Sequence, residues 1–273
     1  MFGLVKEWVS INLASSFLKK YVWIPFAIHF VVYWSGSGLA ALADRYFEKN
    51  DLLEKYKIQG DLLKRSGGFD WSKYYRNSLI CLKNQLLVTI PTMILIVPIF
   101  REILLTNLGL IDWIESTAVK LSINDLWIWI VLSIIQLFMA YMLESACFYY
   151  VHRMLHRPWW YKRVHKIHHE WRAPVAVRAL YSHPFEHFAG NVLPVIVIPC
   201  LLGMNIYLIY LWITIGTINS LVAHSGFKSI TADSHDEHHK YFNCNYGLGE
   251  EGFDWFHSTR LIDKKRILQT DKN

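Results

Sequence analysis

The apolar positions of this chain gather into long unbroken runs, without the three-to-four-residue period of a helix that faces water on one side. Crossing about 30 Å of hydrocarbon takes about 20 predominantly apolar residues. Four stretches reach that length. Tyr21–Leu42 contains one histidine, His29, and no charge. Gln85–Leu105 keeps its Arg101-Glu102 pair near one end, and Trp127–Tyr149 holds Glu144 toward its C-terminal end. Asn191–Ala223 has no charged residue and is long enough to fold back on itself. Gly203-Met204-Asn205 is the natural turn, so this run reads as a hairpin of two segments. Tyr21, Trp23, Trp127, Trp129, Tyr149 and Tyr150 crowd the ends of the runs, as residues of an interfacial belt do. The pattern predicts an all-α integral membrane protein with about four transmembrane segments.

The polar stretches between the runs orient them. Residues 43–84 carry Arg45, Lys49, Lys55, Lys57, Lys64, Arg65, Lys73, Arg76 and Lys83, and residues 150–190 are basic again. Residues 106–126 have only Lys120 against Asp112, Glu115 and Asp125. Positive loops face the cytosol, which places 43–84, 150–190 and 224–273 there and 106–126 in the lumen. Lys19 and Lys20 run against the lumenal N-terminus that follows. Charged residues make up 18% of the 273 residues, below the roughly 25% of soluble domains, as membrane insertion requires. The net charge of +6 lies beside the apolar runs, so it points to a membrane face and away from nucleic acid. Cys81, Cys147, Cys200 and Cys244 form no CxxC pair and are expected reduced. The opening MFGLVKEWVS lacks the form of a cleaved signal peptide. No linker divides the chain, which reads as an N-terminal transmembrane region (1–124), a histidine-rich domain (125–262) and a basic tail (263–273).

Histidine supplies the candidate chemistry. Of the 13 histidines, eight sit in three clusters: HRMLH (His152, His156), HKIHH (His165, His168, His169) and HDEHH (His235, His238, His239). Composition alone gives one HxxHH with odds of about 3 in 100, and here there are two copies plus an HxxxH. Positions i, i+3 and i+4 of a helix share a face, so each cluster can aim its rings at one point. Neutral imidazole ligates iron, zinc and copper. Eight rings exceed one tetrahedral zinc and suffice for two metals with open positions. The first cluster is expected on an extension of the third span that Arg157-Pro158 ends, the second on a short helix, and the third on a helix capped by Asp233 or Ser234. His183 and His224 are further candidate ligands. His187 is expected to pack or to support the ligands from behind, as are Glu144, Glu170, Glu186, Asp236, Glu237, Asp254 and Asn245, with Glu144 the leading carboxylate because it lies in an apolar span. His29 reads as a satisfied core histidine and His257 as structural. HExxH is absent, which disfavours a zinc protease, and the ExxH motifs of soluble di-iron bundles are replaced by nitrogen ligands.

HRMLH, HKIHH and HDEHH resemble the three histidine boxes of the fatty acid hydroxylase / sterol desaturase superfamily over roughly residues 125–260. HKIHHEWRAPVAVRALYSHPFEH is similar to the 4-methylsterol oxidase branch and its fatty-acid-hydroxylase-domain relatives, and VAHSGF followed by HDEHHKYFNCNYG fits that branch and cholesterol 25-hydroxylase. The resemblance implies a multi-pass enzyme of the endoplasmic reticulum membrane with its boxes facing the cytosol. It implies two iron ions, replaceable by zinc in a purified sample, with dioxygen as co-substrate. Electrons would come from NAD(P)H through a cytochrome b-type donor and its reductase. The reaction implied is hydroxylation of a lipid C–H bond, a 4-methylsterol leading. A fatty-acyl or sphingolipid hydroxylase, a lipid desaturase, or a catalytically silent metal-binding scaffold are the alternatives. The chain departs from the family after NYG: FDWFHSTR places His257-Ser258 where relatives carry glycine.

Overall fold

The computed structural model describes residues 16–100, 126–228, 232–249 and 252–262. These residues are helical with no strand, apart from one isolated antiparallel bridge between Lys57 and Phe227. Five helices are long and apolar enough to span a membrane. They are α1 (Ser16–Lys49), α2 (Trp71–Pro98), α3 (Trp127–Leu155), α4 (Pro184–Leu201) and α5 (Ile206–Ala223). A sixth, polar helix, α6 (Ala232–Tyr241), follows. The expected hairpin is α4–α5, which raises the count from four apolar runs to five spans. Gly203 takes φ +58°, a conformation cheap only for glycine. Met204 N–H then bonds back to Pro199 O at 3.0 Å, and the Asn205 side chain caps α5 through Leu208 N–H. The second span starts well before Gln85. Its expected end, 101–105, lies outside the described residues, as do Lys120 and the acidic residues around it.

The outer faces are lipid-like. Along α3, Trp127, Val131, Ile134, Ile135 and Phe138 are exposed, an apolar surface of a kind soluble monomers avoid. Several polar residues of the spans turn inward and pair there, as hydrocarbon favours. On α2, Gln85 accepts from Trp34 Nε1 at 2.9 Å and donates to His29 Nε2 at 3.2 Å, while His29 Nδ1 meets Thr217 Oγ1 at 2.9 Å. His29 is thus the satisfied core histidine that its sequence suggested. Three wide π-turns interrupt the spans just before Pro25, Pro91 and Pro194. A proline cannot donate to the carbonyl four residues back and crowds it, so the preceding turn opens. All four cysteines are free.

Alternating crossings put residues 50–70, the stretch between α3 and α4, and α6 on one side of the bundle. Helices α1 and α2 hold that stretch directly. Tyr33 Oη donates to Val177 O at 2.6 Å, and Asn84 Nδ2 donates to Leu180 O and Ser182 O, each at 3.0 Å. Lys57 and Asp44, 3% and 1% exposed, form a salt bridge at 2.5 Å. The same ammonium donates to Ser225 O and lies 3.8 Å above the Phe227 ring. Next to it, Gln59 Nε2 donates to Arg172 O at 2.7 Å and to Asp236 Oδ2 at 2.8 Å. Breaking a buried pair by removing one partner costs about 3–5 kcal/mol, because the other charge stays behind. Lys57→Met is therefore expected to lower the thermal midpoint of the detergent-purified protein steeply. Adding Asp44→Asn should recover much of the loss; an unchanged midpoint in the single variant would mean that the pair is dispensable.

Candidate metal centre

Helix geometry decides where each histidine ring points. His152 closes the last turn of α3, and His156 follows one turn later, after the helix ends at Leu155. The HKIHH cluster lies on no single α-helix: His165 ends a π-turn (Tyr161–His165), and His168 and His169 open a 3₁₀-turn (His168–Glu170). HDEHH lies on α6 as expected, with the side chain of Asp233 outside the described residues. His224 caps α5.

Each HxxHH cluster serves two points instead of one. His152, His156, His165, His169 and His238 bring their ligand atoms within 4.8 Å of one another; His168, His224, His235 and His239 do the same separately. On an α-helix, i+4 lies about 40° from i and i+3 about 60° the other way, so i and i+4 pair while i+3 diverges by about 100°. The outer histidines of one cluster (His165, His169) thus share a point with the middle one of the other (His238), and the exchange repeats with His235, His239 and His168.

The hydrogen bonds behind the rings assign their protons. His152 Nδ1 faces Tyr246 O at 2.7 Å, and His238 Nδ1 faces Cys244 O at 2.7 Å. His224 Nδ1 faces Ser220 O at 2.9 Å, and His168 Nδ1 faces Tyr181 O at 3.3 Å. A carbonyl only accepts, so each Nδ1 carries the proton and each Nε2 presents a lone pair. His165 Nδ1 meets the Glu186 carboxylate at 2.8 Å to the same effect. The Nε2 atoms then crowd together: His156 to His165 2.9 Å, His165 to His169 3.0 Å, His156 to His238 3.0 Å and His169 to His238 3.1 Å. In the other group, His235 lies 2.9 Å from His224 and 3.2 Å from His239. Lone pairs at such spacing repel one another unless a cation sits among them. Metal–nitrogen bonds of about 2.1 Å place neighbouring nitrogens about 3.0 Å apart at right angles and about 3.4 Å apart in a tetrahedron. The observed spacing suits the right-angled case, in which positions beyond the histidines stay open. Burial keeps the rings neutral, as ligation requires: His156 is pushed down to about 2, His168 to about 3 and His224 to about 4.

A small cavity of about 30 Å³ adjoins both groups, with Phe148, Val151, Leu155 and Ala179 among its apolar walls. The loop that follows α6 fixes the carbonyls for His152 and His238. Asp254 accepts from Tyr246 N–H at 2.9 Å and from Gly247 N–H at 2.5 Å. Asn245 ties this loop to Ser234 O at 3.2 Å and to Leu261 N–H at 2.9 Å, one step removed from the rings. Ser258, where relatives were expected to carry glycine, takes φ +53°, so the turn keeps a glycine-like backbone without the glycine.

Several candidates stand elsewhere. His183, expected among the ligands, lies outside both groups: with Pro184 at the first helical position, its ring folds back to accept Phe185 N–H at 3.1 Å. His187 contacts Thr89 Oγ1 at 2.8 Å, tying α4 to α2. Glu170 accepts the Tyr181 hydroxyl and Asp236 accepts from Gln59. No hydrogen bond joins Glu144 to a histidine among the described residues. Glu186 holds the place foreseen for it, because the π-turn that starts at His187 turns Glu186 under box two. Outer partners of metal-binding histidines contribute about 10–100-fold to metal affinity or activity. Glu186→Gln, which keeps shape and loses charge, is expected to weaken metal retention by about that factor in a chelator competition; retention equal to wild type would make the contact incidental.

A fatty acid hydroxylase family profile matches residues 137–259. Fatty acid hydroxylase domain-containing protein 2 of Homo sapiens is 32% identical over 219 residues, which cover 79% of this chain and 60% of that protein. The chain thus spans less than two thirds of that relative's length. Very-long-chain aldehyde decarbonylase GL1-11 of Oryza sativa subsp. indica is 29% identical over 254 residues, covering 86% of this chain and 84% of the rice protein. Methylsterol monooxygenase 2-2 of Arabidopsis thaliana is 28% identical over 250 residues, covering 84% and 83%. No solved structure matches the chain. Residues 137–259, which hold the three histidine boxes folded into two nitrogen-lined groups, match the fatty acid hydroxylase family, and most of the chain is similar to relatives from the fatty acid hydroxylase / sterol desaturase superfamily.

Proposed function

We propose that this protein is a membrane-bound non-haem di-iron oxygenase that hydroxylates a C–H bond of a lipid, with a 4-methylsterol as the first substrate to test. The observation that carries the reading is the convergence of nine imidazoles, eight buried and His156 half-buried, on two points. Soft thiolates are absent from both groups and carboxylates stay behind the rings, a donor set that suits iron, with zinc able to replace it. Two iron ions bound here would supply dioxygen activation and C–H oxidation. The chain's part is to hold and orient. Main-chain carbonyls and Glu186 fix the rings, and Phe148, Val151 and Leu155 exclude water from one side of the cavity. The lipid-facing bundle lets an apolar substrate arrive from the bilayer. Similarity to the Arabidopsis methylsterol monooxygenase supports a 4-methylsterol, and similarity to the rice very-long-chain aldehyde decarbonylase makes a long-chain aldehyde the second substrate class to test.

The exposed basic residues beside the boxes, Arg157, Lys162 and Lys166, face the side on which a negatively charged cytochrome b-type carrier would deliver electrons from NAD(P)H. That assignment puts the boxes on the cytosolic face of the endoplasmic reticulum membrane. The test is product analysis. Iron-loaded protein in lipid discs, with NADPH, a cytochrome b-type carrier and its reductase, is offered a 4-methylsterol, a fatty-acyl lipid and a long-chain aldehyde. An oxygen-dependent hydroxylated sterol supports the proposal. Product from the acyl lipid alone moves the reading to acyl hydroxylation, and no product from a chain carrying two iron ions rejects the oxygenase.

A further inference from the structure

A second cleft, of about 220 Å³, lies between the 60–70 loop, the first turns of α2 and the stretch after box two. It shares no lining residue with the cavity at the metal centre. Arg178 lines it, 7% exposed, with Nε and Nη1 lacking any hydrogen-bond partner among the described residues. Its guanidinium stacks 4.2 Å from the Trp171 ring, and stacking leaves the N–H groups unsatisfied. Two further lining residues share that condition. Asn77 is fully buried with neither amide atom partnered, and the Trp171 indole N–H is unpartnered as well. Buried polar groups of this kind are costly, a buried guanidinium most of all.

Neither neighbouring carboxylate, Glu170 or Asp70, accepts a hydrogen bond from Arg178 Nε or Nη1 among the described residues. Glu170 accepts the Tyr181 hydroxyl. Asp70 is spent on the N-terminus of α2, accepting from Ser72 N–H at 2.8 Å and Lys73 N–H at 3.3 Å, with Lys73 Nζ 3.7 Å from its other oxygen. Lys73 also sits 4.7 Å above Trp171. Counting Arg172, the lining holds three cations against two carboxylates, so it carries a net positive charge. The cleft opens where α2 starts. Trp71, Tyr75 and Leu79 on that helix are exposed, which sets the opening near headgroup depth.

We propose that this cleft binds a phosphate-bearing anion, with the Arg178 guanidinium as its forked partner, Asn77 and Trp171 Nε1 as further donors and Lys73 at the mouth. A guanidinium pairs with two oxygens at once. Donors arriving from α2 and from two points on the stretch after box two suit the tetrahedral oxygens of a phosphate better than the planar pair of a carboxylate. The phosphate comes either from solution or from an anionic lipid headgroup, whose chains would lie along the exposed face of α2. The site stands whether or not the metal centre performs the proposed reaction.

The test is calorimetric titration of the detergent-purified full chain with inorganic phosphate, with dioctanoyl phosphatidic acid, and with dioctanoylglycerol as the uncharged control. Saturable one-to-one binding of a phosphate ligand is expected, with no binding of the control. Arg178→Gln should weaken it about 10-fold or more, since a charge-assisted hydrogen bond contributes about 1.5–3 kcal/mol. Lys73→Gln should weaken it less. Both variants should keep the wild-type metal content. Equal affinity for inorganic phosphate and for the lipid assigns the site to a free anion; binding of the lipid alone assigns it to a headgroup. Absence of saturable binding by either ligand, or wild-type affinity in Arg178→Gln, overturns the proposal. If Arg178→Gln does not fold, wild-type affinity in Lys73→Gln overturns it.

Discussion

His238→Ala is expected to remove one of two metal ions from each chain and to abolish turnover. His238 belongs to the five-ring group, fully buried, with its Nε2 3.0 Å from that of His156 and 3.1 Å from that of His169. It is the group's only ligand from α6, so its loss cuts the link between box three and boxes one and two at that point. The other group (His168, His224, His235 and His239) keeps all four rings. Elemental analysis should therefore fall from two metal ions per chain to one. Outer partners alone cost about 10–100-fold, so removal of a ring that binds directly should cost more than about 100-fold in turnover. His183→Ala serves as the internal control. Its ring caps α4 and touches neither group, so that variant should keep both ions. Two ions in His238→Ala, or one in His183→Ala, would contradict the partition.

The parts of this molecule that depend on local pattern were legible in the sequence. Apolar runs gave the spans, Gly203-Met204-Asn205 marked the hairpin, and the spacing of the boxes marked histidines that converge. What escaped the sequence depends on which segments meet in space. Residues 71–84 look polar enough to lie outside the second span, yet α2 sets Asn84 against the Leu180 and Ser182 carbonyls of the stretch after box two, so the helix begins earlier than its hydropathy suggests. Glu144 was the favoured carboxylate because burial without a partner is costly. Glu186 supports His165 instead, since a π-turn, invisible to a 3.6-residue reading, rotates it into place. Box two reads as a helix but follows a π-turn and a 3₁₀-turn. Its outer histidines still converge, because i and i+4 remain close in either geometry. The sequence supports one shared focus as readily as two. Only the approach of α6 to box two, with middle and outer positions exchanged, separates them.

The N-terminal region is part of the site's framework, although the family profile begins only at residue 137. Tyr33 and Asn84 hold the stretch whose Tyr181 carbonyl backs His168, and Lys57 and Gln59 hold the neighbours of His224 and His235. A boundary at 124 is therefore best proposed as a division of sequence, with the packing running across it.

Acidification from pH 7 toward pH 4 is expected to destabilise the histidine-rich cap sharply and to strip its metal. Burial holds His224 down at about 4, His168 at about 3 and His156 at about 2, against an ordinary value of 6.5. Below pH 6.5 the unfolded chain takes up protons that the folded chain refuses, so stability falls as pH falls. Each such ring contributes about 1.4 kcal/mol per pH unit in that window, on the order of 3 kcal/mol apiece for His168 and His156 between pH 6.5 and 4. The effect saturates only below the folded values. A bound metal competes for the same lone pairs, which adds to the loss without changing its sign. Thermal midpoint and metal retention, followed together from pH 8 to pH 4, should stay level above about pH 7 and then drop, with the unfolding free energy falling by more than about 1.4 kcal/mol per pH unit. A flat profile would mean that the rings are open to water and titrate as free imidazoles. A midpoint that rises on acidification would mean that carboxylates, and not one another's lone pairs, surround them.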